Sequence, residues 1–256
     1  STKGGCVEPS TLQVVALMIL LVVFVANAVV RRREKPPMRP IDAYTRLPQV
    51  TAQSIESGRP LHLSLGSATV GDDTTLLAIV GAEFLYYLTR EVASGDTSPI
   101  ITVSDGAAVP LGMDVLRRAY NDEQRPENFK AFNTRWYPQG SRSLAFATAI
   151  MALAGDDRTG LNVLTGSHGI EMALMLDPSN RRNLPSIAVS NQLEGQAIAY
   201  AMSDYPLIGE EIFAASGYVS DKLKWAKRNL VIDLLRWLLA ITIIALLIYN
   251  IVQEVG

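Results

Sequence analysis

The amino-acid sequence predicts an α/β fold, a three-layer sandwich around a mostly parallel sheet of about five strands, flanked by two transmembrane helices. Two long apolar runs stand near the ends of the chain. Between them, short β-branched runs alternate with helical patterns of ten residues or more. This alternation indicates βαβ units and therefore a parallel sheet.

The first apolar run, Leu12 to Val30, contains no charged residue. About 20 apolar residues in a helix match the roughly 30 Å hydrocarbon thickness of a bilayer. A cleaved signal peptide carries its positive residues before the apolar stretch, whereas here the cations follow it. These cations are Arg31, Arg32, Arg33 and Lys35. The run therefore predicts a retained membrane anchor.

The second apolar run, Leu230 to Val252, follows a basic segment that contains Lys224, Lys227 and Arg228. The cations of both runs thus flank the central part of the chain, and the positive-inside rule counts cations near the ends of spans. The predicted protein crosses the cell (inner) membrane twice, with both termini outside and the central domain in the cytoplasm. The lipid bilayer is its first expected partner.

These boundaries divide the chain into seven parts. They are an external tail (1–10), transmembrane helix 1 (11–31), a Pro/Arg-rich linker (32–40), the cytoplasmic α/β domain (41–220), a basic juxtamembrane segment (221–229), transmembrane helix 2 (230–252) and an external tail (253–256).

Within the domain, periodicity predicts helices and strands in alternation. The predicted strands are 61–66, 99–106, 133–138, 161–166 and 185–192. The predicted helices are 43–57, interrupted near Pro48, then 74–93, 111–122, 143–154, 170–176, 194–203 and 207–217.

Four predicted strands end in hydroxyl-rich turns, and parallel strands would bring these ends to one edge of the sheet. Open α/β sheets bind ligands at that edge. The candidate ligand-binding residues there are Gly66, Ser67, Asp105, Ser167, His168, Asn191 and Glu194. Serine, aspartate and asparagine are also ordinary helix caps, and glycine makes tight turns. Plain capping and a small-ligand cleft are both open interpretations.

No catalytic constellation is visible in the sequence. His168 and Glu171 are three residues apart, which suits a capping contact as well as a base and its orienting group. Two histidines and one cysteine leave little for a transition-metal site, so no metal or cofactor is expected. A net charge of −2, without a basic stripe in the middle of the chain, gives no reason to expect nucleic acid.

Three glutamates, Glu83, Glu171 and Glu211, each precede an apolar helical stretch. Glu83 falls in the middle of a nearly uniform apolar helix, where a carboxylate should be paired. Such a helix is buried in the core or against another subunit. The three glutamates are therefore interface candidates.

Four phrases of the sequence resemble a family of bacterial membrane proteins that carries a domain of unknown function. The phrases are "RPLHLSLGSATVG", "PIITVSDG", "LTGSHGIEMALM" and "DYPLIGEEIFAASGYVS". The resemblance covers most of residues 59–220. It implies an α/β cytoplasmic domain between membrane anchors and implies no activity.

The sequence thus favours a membrane-anchored, self-associating scaffold without catalysis over an enzyme. The alternative is a membrane-tethered sensor or enzyme with a small-ligand cleft at the sheet edge. A homo-oligomer is expected, and a subunit of a larger membrane complex is also open.

Overall fold

The computed structural model describes residues 40–139, 144–156, 158–219 and 239. The predicted tails, the linker apart from Pro40 and the basic juxtamembrane segment lie outside these residues, as do both predicted spans apart from Leu239. Pro40–Val219 forms one compact unit. In the part of the chain that is described, no helix is long and apolar enough to cross a membrane.

Strands and helices alternate along this unit. The helices are α1 (Asp42–Glu56), α2 (Thr75–Val92), α3 (Val109–Asp122), α4 (Leu144–Ala154), α5 (Met172–Arg182), α6 (Leu193–Met202) and α7 (Ala215–Val219). The strands are β1 (Leu61–Gly66), β2 (Ile100–Val103), β3 (Thr134–Trp136), β4 (Leu161–Leu164), β5 (Ser186–Val189) and β6 (Tyr205–Leu207). The predicted α/β class is confirmed.

The six strands form one parallel sheet in the order β3-β2-β1-β4-β5-β6. The chain builds outward from β1 in one direction and then returns to build outward from β4 in the other. β1 and β4 are neighbours, with Leu63 opposite Val163. The gap between their carboxyl ends is the topological switch point, where this strand order places ligands in other proteins.

Helices cover both faces of the sheet. The larger apolar core contains residues of α1, α2 and α3 together with Leu63 and Leu65 of β1. The smaller core joins α4, α5 and α6 to Leu164 of β4 and Ala188 of β5. Because both faces are covered, every residue of β1 is buried, as expected for a central parallel strand.

The face of the sheet under α4 and α5 carries a buried polar chain centred on His62. Its Nδ1 lies 2.7 Å from Asn162 Oδ1, and its Nε2 lies 2.9 Å from Thr102 Oγ1. The amide nitrogen of Asn162 donates to Ser179 Oγ at 2.9 Å and to the Met175 carbonyl. Its oxygen is therefore the acceptor, so Nδ1 of His62 carries the hydrogen and Nε2 accepts from Thr102. This series of hydrogen bonds links β2, β1, β4 and α5.

The expectation of about five strands was one strand short. Tyr205–Leu207 forms β6, followed by a 3-10 helix at Gly209–Ala214, where the sequence pattern predicted a helix over 207–217. Pro206 obscured this strand because proline cannot donate to a sheet ladder and occurs mainly at sheet edges. Among the described strands, β6 is such an edge and pairs with β5 alone.

The expected interruption of the first helix near Pro48 was also wrong. α1 continues through Pro48 from Asp42 to Glu56. A proline in a helix removes one backbone hydrogen bond. Here the residues on both sides of it are anchored, since Leu47 and Val50 are buried in the larger core. Tertiary packing thus outweighs the local preference.

The two ends of the described domain lie side by side. The rings of Tyr44 in α1 and Tyr218 in α7 stack with centroids 4.9 Å apart and planes 14° from parallel. The Tyr44 hydroxyl also donates to the carbonyl of Glu211 at 2.8 Å. The chain therefore enters and leaves the domain at one place.

Candidate functional site

The switch point between β1 and β4 is closed by hydrogen bonds between the two loops that follow these strands. Ser67 Oγ donates to the Ser167 carbonyl at 2.5 Å. Thr165 donates to the Ser64 carbonyl twice, from its hydroxyl at 2.6 Å and from its backbone nitrogen at 2.9 Å. The β1–β4 pairing thus continues beyond the last paired strand residue.

The imidazole of His168 fills the space between the two strand ends. The residue is only 2% exposed, and its Nε2 lies 3.2 Å from the Thr165 carbonyl, to which it donates. The ring lies nearly parallel to that of Phe146 in α4, with centroids 6.3 Å apart. Burial lowers the pKa of His168 to about 4, although the nearby negative charge of the Glu171 carboxylate acts to raise this pKa. The ring is therefore neutral near pH 7.

Two glycines allow this close approach. Gly66 has φ +57°, and a Cβ on it would lie 2.5 Å from His168 Nε2. Gly166 has φ +130°, and a Cβ there would collide with the Leu65 carbonyl oxygen. A side chain at either position would force the loops apart, so the glycines are explained by the closure itself.

Ser190, at the end of β5, fixes the loop that carries His168. Its hydroxyl donates to the His168 carbonyl at 2.6 Å and accepts from the backbone nitrogens of His168 and Gln192. Gln192 then donates from its side chain to Ser167 Oγ at 2.8 Å. Three consecutive strand ends, those of β1, β4 and β5, are linked in this way.

The candidate pair of His168 and Glu171 makes separate local contacts. Glu171 Oε1 accepts from the Gly169 backbone nitrogen at 2.9 Å, while the His168 ring contacts Thr165. Glu171 thus bonds back to its own loop, and no side-chain hydrogen bond caps the helix that it precedes.

The remaining candidate ligand-binding residues lie around the closed switch point. Asp105 accepts from the Ala107 nitrogen at 2.8 Å and caps a short 3-10 turn after β2. Asn191 and Glu194 are exposed after β5. The predicted residues thus share one edge of the sheet, as their positions after parallel strands require, but Ser67, Ser167 and His168 are used to hold that edge together.

The interface candidates Glu83 and Glu211 also have local partners. The carboxylate of Glu83 was expected to be paired, and its Oε2 lies 3.7 Å from an Arg118 nitrogen. Glu211 Oε2 accepts from the Ile208 nitrogen at 3.0 Å. Their role in subunit contacts stays a prediction.

Sequence reasoning missed Thr165, Ser190 and Gln192 as members of the site. A hydroxyl residue near the end of each strand was a visible signal. Which hydroxyl would bond to which loop depends on strand order, and a single sequence does not give that order.

This edge also exposes large apolar side chains. Of the large apolar side chains that are exposed in the described domain, Phe132, Met151 and Tyr200 lie elsewhere. The others form what we call the apolar rim: Val70, Leu76, Ile79, Trp136, Leu144, Ile170, Leu174 and Leu193. All eight lie at strand carboxyl ends, in the loops after them or in the first turns of the following helices.

A cavity of about 370 Å³ lies at the opposite edge of the sheet, among the loops that precede β1, β4 and β5. Arg59 and Arg182 contribute to its lining, and Arg182 also donates to the Gly155 carbonyl beyond the end of α4. The cavity is thus remote from the switch point. No group of metal-ligating side chains occurs among the described residues.

These features define a class, a doubly wound α/β domain whose switch point is filled by its own side chains. The chain belongs to the family described as "Domain of unknown function (DUF6754)", whose model matches residues 6–255. The expected membership in a family of unknown function is confirmed. No curated protein and no solved structure matches the chain.

We predict that the fit between Gly66 and His168 can be measured with a matched pair of variants. Gly58 has φ +62°, close to that of Gly66, but a Cβ there meets nothing within 4 Å. Gly58→Ala should therefore cost only the backbone strain, about 1 kcal/mol. Gly66→Ala should cost about 1–3 kcal/mol more through overpacking. Urea unfolding of both variants measures the difference. It should shrink in a His168→Ala background, where the Thr165 carbonyl oxygen at 3.0 Å is the close contact that remains. An equal cost in the native background would contradict the closure.

We also predict a stability loss at mildly acidic pH. Burial lowers the pKa of both His62 and His168 from 6.5 to about 4. The unfolded chain therefore binds more protons than the folded chain between these values. This contribution to stability is fully present above about pH 6.5 and is lost as the pH falls toward 4. Each histidine should remove about 2 kcal/mol of unfolding free energy between about pH 7.5 and 5.

His168→Phe tests this assignment because it keeps a planar ring beside Phe146 and removes the titration. The variant should lose about half of the pH-dependent change in urea-unfolding free energy, with His62 supplying the rest. A wild-type unfolding free energy that is flat across this interval would refute the prediction.

Proposed function

We propose that this chain is a membrane-anchored, self-associating scaffold whose α/β domain lies in the cytoplasm and performs no catalysis. The observation that carries the proposal is the outer face of α4, formed by Leu144, Ala145, Thr148, Met151 and Ala152. All five residues are exposed and none is charged.

α4 differs in this respect from the other long helices. Among the described helices of ten residues or more, it alone has no charged side chain. The outer faces of α3 and α5, by contrast, carry exposed ion pairs such as Arg117 with Asp114 and Arg181 with Asp177. A helix that is apolar all round is normally covered, and an exposed apolar surface indicates a protein or membrane contact. A second copy of this face is the covering that we propose.

The anchoring part of the proposal comes from the two apolar runs and their flanking cations. The stacking of Tyr44 on Tyr218 supports it, because two chain segments that leave the domain together can enter one membrane from the same side. The closed switch point supports a role without catalysis. A place in a larger membrane complex is compatible with the same features.

A second candidate function is a membrane-tethered sensor or enzyme for a small ligand. The strand order favours it, because the switch point of this order is where other doubly wound proteins bind ligands. The ligand would have to displace the His168 ring from its position between Thr165 and Phe146. The scaffold requires no such rearrangement, and we therefore place it first.

We predict that Met151→Glu converts the oligomer to a smaller species. The substitution puts a carboxylate in the centre of the uncharged face, where a second copy would have to desolvate it. Light scattering after gel filtration of the full chain in mild detergent measures the mass. Tyr200→Glu is the control, because Tyr200 is 75% exposed on α6 and lies outside this face. A monomeric wild-type protein would contradict the proposal, and so would a Met151→Glu variant whose oligomer has an unchanged mass.

For the second candidate, we predict that a ligand would appear as extra mass on the natively extracted chain. Ser167→Trp should abolish this mass because the new ring would occupy the space beside Ser67 and Gln192. Native mass spectrometry makes the measurement. Wild-type protein without bound mass would count against the sensor.

A further inference from the structure

The cavity at the amino edge of the sheet is lined by hydrogen-bond donors. Its described lining contains two guanidinium groups, those of Arg59 and Arg182, and no carboxylate. The side-chain amides of Gln53 and Asn183 add neutral donors to this lining. Such a cavity favours a ligand that carries negative charge and several acceptor oxygens, because hydrogen bonds between ionised partners are the stronger ones.

Three acidic residues occur in the loops near these arginines. Glu56 ends α1 and does not belong to the described lining. Asp156 pairs with Arg158 at 3.2 Å, and this hydrogen bond is the main cause of its lowered pKa, ahead of the charge of Arg182. Asp157 lies outside the described residues. Within the described part of the chain, the acids near the cavity are thus either paired elsewhere or absent from its lining.

The ends of helices account for one of the two arginines. A helix carries partial negative charge at its carboxyl end, which attracts cations. Arg182 lies in the last turn of α5 and donates to the carbonyl of Gly155, beyond the end of α4. Arg59 has no such role, because its guanidinium has no hydrogen-bond or ion-pair partner in the part of the chain that the structure describes. The charge of Arg59 is therefore the one that a ligand would balance.

The backbone of Arg59 is nevertheless held firmly. Ser54 Oγ donates to the Arg59 carbonyl at 2.6 Å, and the Arg59 nitrogen donates to the Ser54 carbonyl at 3.1 Å. Gly160 packs against the same turn, since a Cβ on it would collide with Ser54 Oγ and lie 3.0 Å from Arg59 Cβ. A side chain whose backbone is already fixed loses less conformational entropy when it binds a ligand.

The charge and size of the cavity indicate a phosphate ester. A phosphomonoester carries a charge of about −1.5 to −2 near pH 7 and has three strong acceptor oxygens, which suits two guanidinium groups. A carboxylate has one charge and two oxygens. The volume of about 370 Å³ lies within the range of small-molecule sites, so it leaves room for an organic group beside the phosphate. Leu184 and Pro185 supply apolar lining for that group.

We propose that this cavity binds a small soluble phosphomonoester, with Arg59 and Arg182 contacting the phosphate oxygens and Asn183 donating to the same ligand. The site is separate from the cleft that the sequence predicted, because it lies at the opposite edge of the sheet. It requires neither membrane anchoring nor self-association. Its failure would leave the proposed function unaffected, and the converse also holds.

Isothermal titration calorimetry of the full chain in an uncharged detergent tests the site, with glycerol 3-phosphate as the probe. Arg59→Gln should weaken binding by about tenfold or more, because it removes a hydrogen bond between charged partners. Arg117→Gln is the matched control and should bind as the wild type does. Arg117 is exposed on α3, which contributes nothing to the described lining.

Asn183→Gly provides a second variant that should keep its fold. Asn183 has φ +49°, a backbone conformation that glycine adopts without strain. The variant should therefore unfold at a urea concentration close to that of the wild type. It should bind glycerol 3-phosphate about fivefold more weakly, since it loses one neutral hydrogen bond.

Two further titrations define the ligand class. Glycerol, which lacks the phosphate, should not bind. Dihexanoyl phosphatidic acid presents the same phosphomonoester on a lipid and should bind no more tightly than glycerol 3-phosphate. Folded wild-type protein that does not bind glycerol 3-phosphate would overturn the inference, as would equal affinity in Arg59→Gln. Binding of glycerol, or tighter binding of the lipid, would overturn the assignment to a soluble phosphomonoester.

Discussion

The contact between Gly66 and His168 is the constraint on which the carboxyl edge of the domain depends. A glycine with positive φ leaves the space that the imidazole occupies between the ends of β1 and β4. The ring must also remain neutral, because a charged imidazole at 2% exposure would lack the solvation it needs. Its lowered pKa is the consequence of this burial. Chain conformation and protonation state are thus set by one steric fit.

A second buried histidine links neighbouring strands in the middle of the sheet. His62 bridges Asn162 and Thr102, and Asn162 continues the chain to Ser179 in α5. These polar groups occupy positions where an apolar side chain would otherwise enlarge the core beneath α4 and α5. The smaller core is consequently fixed by directional hydrogen bonds as well as by packing. This arrangement specifies the register of β1 against β4, because a shift by one residue would separate His62 from Asn162.

Much of the fold followed from the sequence because hydrophobic periodicity carries local information. β1 occupies the predicted residues 61–66, and α2 and α3 agree with prediction within two residues at either end. The failures occurred at prolines. Pro48 suggested an interruption that packing overrides, and Pro206 hid an edge strand.

For the candidate site, the sequence predicted which edge of the sheet carries it. The use of Ser67, Ser167 and His168 in closing the edge was not predictable. It depends on β1 and β4 being neighbours in the sheet, although they lie about a hundred residues apart in the sequence.

The outer face of α4 and the apolar rim are adjoining surfaces that share Leu144. In the proposed anchored scaffold, two chains would share one membrane. That restriction would lower the entropy lost when two side faces meet, so anchoring would strengthen a weak lateral contact without any additional interaction. A face of five small or medium side chains, too small for tight association in free solution, would be sufficient under this condition. The proposed anchors would then supply the effective concentration on which the proposed assembly depends.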